Sequence, residues 1–251
     1  MKDVIYKLRL YGLRHFVRFG FHEVIMRLRR LFLHSYSQCG EDIILSKLLR
    51  NKRKGFYVDV GAYDPFRFSN TMHFYKRGWT GINIEPDSTQ YSGFLASRSK
   101  DINLNIGVGS KTGTLTYYCM NPKTLSTFSS LQARSYVRQG FRLVEKTKIP
   151  IRTLSAVFRK YVNHIHIDFM SVDVEGFEMD VLKSNDWKTF RPGFICIELS
   201  FRDSDPRETR RKRAIIRYMR RIGYEFRTNT ILNYIYEDAR RSAGTRKQVY
   251  V

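Results

Sequence analysis

The segment Phe56-Tyr57-Val58-Asp59-Val60-Gly61-Ala62 constrains the fold of this chain more than any other. Its apolar run fits a strand buried in a sheet, and it closes on a carboxylate followed by a glycine. One helix-length later, Gly81-Ile82-Asn83-Ile84-Glu85 also runs apolar and also closes on an acid. Strand, glycine turn, helix, strand and acid is the order in which an open α/β sheet holds a nucleoside. The turn lets backbone approach the ligand, and the second acid takes the ribose hydroxyls. This turn is no dinucleotide fingerprint. One glycine stands where G-x-G-x-x-G needs three, and Pro65 occupies the loop where a pyrophosphate would need free backbone N–H groups. A nucleoside without a phosphate chain suits the turn better, and S-adenosylmethionine is the commonest such ligand. The plainer alternative is an α/β sheet with no nucleoside at all.

The rest of the chain extends this alternation. Ser37-Gln38-Cys39-Gly40-Glu41-Asp42 opens a helix through about residue 49, with carboxylates where the helix dipole favours them. A helix over 70–76, a strand over 80–84, a helix ending near 97 and a third strand over 102–106 follow, the last broken by Gly107-Val108-Gly109. Residues 113–120 alternate like one arm of a hairpin. Residues 121–148 are polar and Ser/Thr-rich, and they read as an irregular insertion on the acceptor side with a short helix near 132–138. A helix over 153–161, a strand over 169–174, a helix starting at Glu175-Gly176-Phe177-Glu178 and a strand over 193–199 complete the pattern. Residues 224–227 and 231–236 form a terminal hairpin turning at Asn229. Buried runs interleaved with helices predict a mostly parallel sheet covered on both faces, ending in an antiparallel hairpin. The length of 251 residues suits one such domain over 36–239, flanked by an extension (1–35) and a tail (240–251).

Ligands of open α/β sheets bind at the carboxyl ends of the strands. Those ends carry Asp59, Glu85, Asn105, Asp173 with Glu175, and Glu198, although the chain has only 23 acids against 45 lysines and arginines. Acids gathered there in a chain of net charge +22 point to a cationic or hydroxyl-rich ligand. S-adenosylmethionine, with its sulfonium, ammonium and ribose diol, is both.

The positive charge lies in three blocks. In residues 2–34 basic residues alternate with Phe, Leu, Ile and Val; no window is apolar enough for a membrane span, and no signal-peptide cleavage site is visible. Such a segment either lies in an anionic membrane interface or packs its apolar stripe on the domain or a second subunit. The second block, 202–227, reads as a helix with a charged outer face, and the third is the tail. A charge excess this large calls for an anionic partner. Cys39, Cys119 and Cys196 lack metal-ligand spacing and read as reduced thiols of a cytosolic protein, Cys196 within the core.

Several motifs, in order and at consistent spacing over residues 36–200, resemble the FkbM-type methyltransferase family. They are Ser37–Asp42, Phe56–Ala62, Arg67-Phe68-Ser69-Asn70-Thr71, Gly78–Pro86, Val172-Asp173-Val174-Glu175-Gly176-Phe177-Glu178 and Val181–Trp187. The resemblance implies a class I (Rossmann-like) S-adenosylmethionine-dependent fold and O-methyl transfer, often to sugar or natural-product hydroxyls. It implies Asp59 and Gly61 at the methionine end of the cofactor, and Ala62 and Asn70 among its other contacts. Glu85 is then expected on the ribose, Asn105 and Ile106 beside the adenine, and Asp173 and Glu175 beside the sulfonium and the acceptor hydroxyl. Glu41 is either a cofactor contact or a helix-start carboxylate, and Asp64 is a turn residue. A hydroxyl is a poor nucleophile, so a base is expected, Asp173 first and Glu175 second. His164 and His166 precede their strand and belong at the opposite edge. No third carboxylate is identifiable from spacing, so no metal site is assigned. The expected protein is cytoplasmic, peripheral on the inner membrane face, and methylates a saccharide in a glycan, glycolipid or natural-product precursor. An RNA methyltransferase and a non-catalytic membrane- or nucleic-acid-associated protein are the alternatives.

Overall fold

The computed structural model describes residues 34–162, 164–199 and 206–241. The basic N-terminal extension, apart from its last residues, and nearly all of the tail lie outside them, with whatever they do at a membrane. Among the described residues no helix is long and apolar enough to cross a membrane.

Seven strands form the main sheet: β1 (Phe56–Val60), β2 (Thr80–Ile84), β3 (Ile102–Leu104), β7 (Phe169–Val172), β8 (Phe194–Glu198), β9 (Tyr224–Asn229) and β10 (Asn233–Asp238). Their order is β3-β2-β1-β7-β8-β10-β9. The first five are parallel; β10 is antiparallel to both β8 and β9. The sheet is thus the class I α/β arrangement with a terminal antiparallel hairpin. Side chains alternate across it, as the two-residue period of a strand requires. Phe56, Val58 and Val60 of β1 face one layer of helices, α5 (Leu154–Tyr161), α6 (Glu178–Lys183) and α7 (Pro206–Arg221). Tyr57, Phe169, Cys196 and Ile235 face the other, α1 (Glu41–Leu48) and α2 (Met72–Lys76). There Phe74, Trp79 and Phe169 meet with ring centroids 4.6–6.2 Å apart. Each such ring, fully buried, contributes about 2–3 kcal/mol.

Helix α3 (Ser88–Ser97) starts where the Asp87 carboxylate accepts from Thr89 N and Gln90 N, and Thr153 caps α5 through Ala156 N. These caps fix where the chain turns from strand end to helix, and so fix the loops that make the site.

Three details differ from the sequence reading. Strand β3 ends at Leu104, and Gly107–Val108 (β4) crosses into a second sheet of order β4-β6-β5. The other members are β5 (Gly113–Asn121) and β6 (Arg142–Arg152), joined by a 3₁₀ turn (Lys123–Leu125) and α4 (Ser130–Arg138). The last quarter of the expected irregular insertion, 142–148, is therefore strand. Along β6 only Ile149 and Ile151 are buried, so the apolar alternation that announces a strand is missing. The terminal turn lies at 230–232 rather than at Asn229, closed by Thr230 N to Asn233 O and Asn233 N to Thr230 Oγ1.

Candidate active site

A cavity of about 510 Å³ opens at the carboxyl ends of the parallel strands, between the main sheet and the β5–α4–β6 excursion. Its floor is the turn after β1. Gly61 N and Ala62 N both donate to Ile84 O, which folds the turn back over β2. Gly61 has φ 79°, and a Cβ on it would lie 1.8 Å from the Asp173 carbonyl oxygen. Two loops cross here at backbone contact, so only glycine fits. Asp59, buried at the end of β1, accepts from Thr71 Oγ1 at 2.9 Å, and burial raises its pKa to about 6.

Glu85 closes β2. Tyr63 N donates to one of its oxygens and Asp87 N to the other, both at 2.8 Å. Burial nonetheless raises its pKa to about 8, against the pull of those two N–H groups. Each oxygen keeps a lone pair for a diol. Tyr63 and Phe68, both non-glycine residues in the left-handed region, stack on one another and line the wall beside it. Behind this loop Arg98 is fully buried; it donates to the Pro65 carbonyl from Nε and Nη2 and to Ser69 Oγ from Nη2. Asn70 also faces the cavity, its Nδ2 donating to Ser171 Oγ at 3.0 Å.

Not every predicted residue reaches the cavity. Ile106 lines it together with Val108, but Asn105 turns its amide onto the Glu85 and Pro86 carbonyls and holds that loop from behind. Glu41 is not in the wall. One of its oxygens accepts from Thr230 Oγ1 and Asn233 Nδ2, the other from Cys39 N, so it ties the start of α1 to the terminal turn. Asp64 closes its own turn by accepting from Phe66 N and Arg67 N. His166 sits beside Asp168 and Arg241 at the far edge of the sheet.

The other half of the cavity is acidic. Asp173, Glu175 and Glu198 bring one carboxylate oxygen each within 4.8 Å of the others. Burial raises Asp173 to about 6 and Glu175 to about 8, and drives Glu198 well above its usual value. Glu198 and Asp173 are hydrogen-bonded, in a sense that favours the proton on Glu198 and the charge on Asp173. Crowded carboxylates share protons in this way because they cannot all ionise. A cluster that holds fewer charges than carboxyls leaves a member able to accept a proton from a neighbouring hydroxyl. The three oxygens could also hold a divalent cation; Glu198 is the third ligand that spacing did not supply. Glu175 has φ 47°. Its carbonyl accepts from Thr127 Oγ1 at 2.7 Å and its carboxylate from the Tyr136 hydroxyl of α4. Burial and then the neighbouring Glu175 charge push the Tyr136 hydroxyl well up, so it remains a donor. Sequence reasoning missed Tyr136, Tyr63, Phe68 and Arg211, which enters from α7 paired to Glu178. Phe68 stands in a family motif two residues before Asn70, but its ring carries no polar group to mark it as a contact; the other three stand in no motif that announces a ligand.

The stretch that builds this turn, the acid at the end of the second strand and the carboxylate cluster is also the stretch matched by the model of the methyltransferase FkbM domain, which covers residues 59–226. The chain belongs to the FkbM methyltransferase family. No curated protein matches it. Similar solved structures include a putative caffeoyl-CoA O-methyltransferase from Staphylococcus aureus, with 9% identity, 90% of this chain and 98% of that chain covered, and a TM-score of 0.44. A putative O-methyltransferase from Klebsiella pneumoniae shares 11% identity over 79% and 80% of the two chains, with a TM-score of 0.38. A SAM-dependent methyltransferase from Aquifex aeolicus shares 12% over 78% and 89%, with a TM-score of 0.35.

As a member of this family the protein is an S-adenosylmethionine-dependent methyltransferase, and the residues present fit that cofactor. The close-packed Gly61 turn leaves no cradle for a phosphate chain, and the Glu85 carboxylate keeps accepting capacity for a ribose diol. Asp59, Gly61 and Asn70 would hold the methionine end, Glu85 the ribose, and Ile106 and Val108 the base.

Proposed function

We propose that this FkbM-family protein methylates a hydroxyl group, and that the hydroxyl belongs to a saccharide. The observation that carries the reading is the carboxylate cluster at the ends of β7 and β8, where Asp173, Glu175 and Glu198 line the cavity with one carboxylate oxygen each within 4.8 Å of the others. When bound, the cofactor supplies a methyl group already activated by its sulfonium. The chain's own part is to hold the acceptor oxygen in line and to remove its proton, which a hydroxyl needs. Asp173 takes that proton; Tyr136 holds Glu175 beside it. The acceptor wall supports a sugar. Gln132, Ser135 and Gln139 present hydrogen-bonding groups along one face of α4, with Tyr117, Phe128 and Phe141 supplying apolar surface. A ring with hydroxyls on its edge and C–H groups on its face suits such a lining.

The test is methyl transfer from labelled S-adenosylmethionine to a panel of free, lipid-linked and nucleotide-linked sugars, with Asp173→Asn and Glu85→Ala in parallel. Label is expected in sugar ethers. Asp173→Asn should lose about 10³-fold in kcat while still binding cofactor, and Glu85→Ala should lose cofactor binding. Label recovered on nitrogen, or Asp173→Asn turning over within tenfold of wild type, overturns the reading.

A further inference from the structure

We propose that the outer face of α7 is a docking surface for an anionic membrane. The helix carries eight lysines and arginines against one acid, Glu208. Glu208 lines the cavity, so it does not offset the charge outside. Arg210, Arg213, Arg217 and Arg220 are all exposed at helical spacing, and no carboxylate among the described residues pairs with any of them. A stripe of four unneutralised guanidinium groups on one helix face is costly to the compact state through self-repulsion, and it is relieved by a surface of opposite charge.

Two observations favour a lipid surface over a nucleic acid. The first is apolar. Ile216 flanks the arginine stripe, one turn from both Arg213 and Arg220, and is 36% exposed. Beside the helix, on the edge strand β9, Phe226 is 50% exposed, resting on Tyr234 and Tyr236. Cations flanking exposed Ile and Phe are the composition of a face that sits at the boundary between headgroups and acyl chains. An aliphatic side chain offers a base nothing to stack on. The second observation is the site itself. The α7 N-terminal turn forms cavity wall through Glu208 and Arg211, facing Glu175 and Glu198. A phosphodiester strand tracking the stripe toward the cavity would run into carboxylates, whereas a membrane need only touch the outside of the helix. Docked in this way, α7 lies along the lipid with the cavity mouth at one end.

The experiment is flotation of the full chain with vesicles of phosphatidylcholine alone and with a quarter phosphatidylglycerol, at about 0.1 M salt. One variant combines Arg213→Gln, Arg217→Gln and Arg220→Gln; a second combines Ile216→Ser and Phe226→Ser. Cofactor binding at wild-type affinity in both shows that the fold is intact and keeps the result separate from the functional reading. The expected result is partitioning of the wild type onto anionic vesicles only. The arginine variant should lose on the order of 100-fold, at about fivefold for each of the three charges removed, and the apolar variant several-fold. The proposal is overturned if the arginine variant partitions like wild type, or if neutral vesicles bind equally well. It is also overturned if the arginine variant loses an RNA oligonucleotide while keeping its vesicles.

Discussion

The two halves of the cavity are built by different means. On the cofactor side the polar contacts come largely from backbone: Tyr63 N and Asp87 N on Glu85, Gly61 N and Ala62 N on Ile84 O, two chain segments touching at Gly61 and Asp173. On the acceptor side they come from side chains delivered by distant segments: Tyr136 of α4, Glu198 of β8 and Arg211 of α7 around Glu175. A backbone-built half tolerates little substitution at its crossing points. A half built of side chains can be rewritten residue by residue without disturbing the sheet, which is where differences in acceptor are cheapest to make.

That contrast can be broken most severely at Gly61. Gly61→Ala places a methyl group against main chain, and cofactor affinity measured by calorimetry should fall at least about 100-fold, or the chain should fail to fold. Gly93→Ala is the control, because its added Cβ would meet only Pro65 at 3.5 Å; equal behaviour of the two would mean that the crossing is not rigid. A smaller effect is expected from Tyr136→Phe, which removes a hydrogen bond to a buried carboxylate and should lower kcat about tenfold. Its cofactor affinity should stay unchanged; a matching loss there would show that the halves are coupled. Smallest is the pH effect on the cofactor-free chain. Glu85 and Glu175 have folded pKa values of about 8, above those of the unfolded chain. The folded state therefore holds more protons, and stability is lost as pH rises through that range. Melting temperature should fall by a few degrees between about pH 6 and about pH 8.5, and Glu175→Gln should flatten the slope. An unchanged slope in that variant would mean that Glu175 is ionised throughout.

The same contrast explains what could be read from sequence. Asp59, Gly61 and Glu85 stand at the ends of contiguous apolar strands, so their place in the fold follows from local pattern. Asp173 and Glu198 were visible in the same way, as strand-end acids. Tyr136 was not, because its partner Glu175 is 39 residues away and an α4 of Ser, Gln, Arg and Tyr looks like any solvated helix. Glu41 shows the opposite difficulty: a carboxylate in the first turn of a helix looks the same whether it meets a ligand or a distant loop. Asn105 lies one residue beyond the last of β3, and that single step turns its amide from the cavity to the carbonyls behind it. Strand β6 escaped because most of its side chains are exposed and polar.

The tie from Glu41 to the terminal turn also bears on the order of events during synthesis. Glu41 meets Thr230 and Asn233 across 189 and 192 residues, and the loop it secures puts Leu232 in the cavity wall opposite Gln38. Strand β10, which follows all the other described strands in the chain, is inserted between β8 and β9. A nascent chain still on the ribosome with everything through β8 outside has most of its carboxylates in place but an open side to its cavity and a bare strand edge at β8. Pairing over such separation is slow to form. The wall therefore closes only once the chain has emerged through β10, so the compartment is completed long after the strands that carry its carboxylates have left the ribosome.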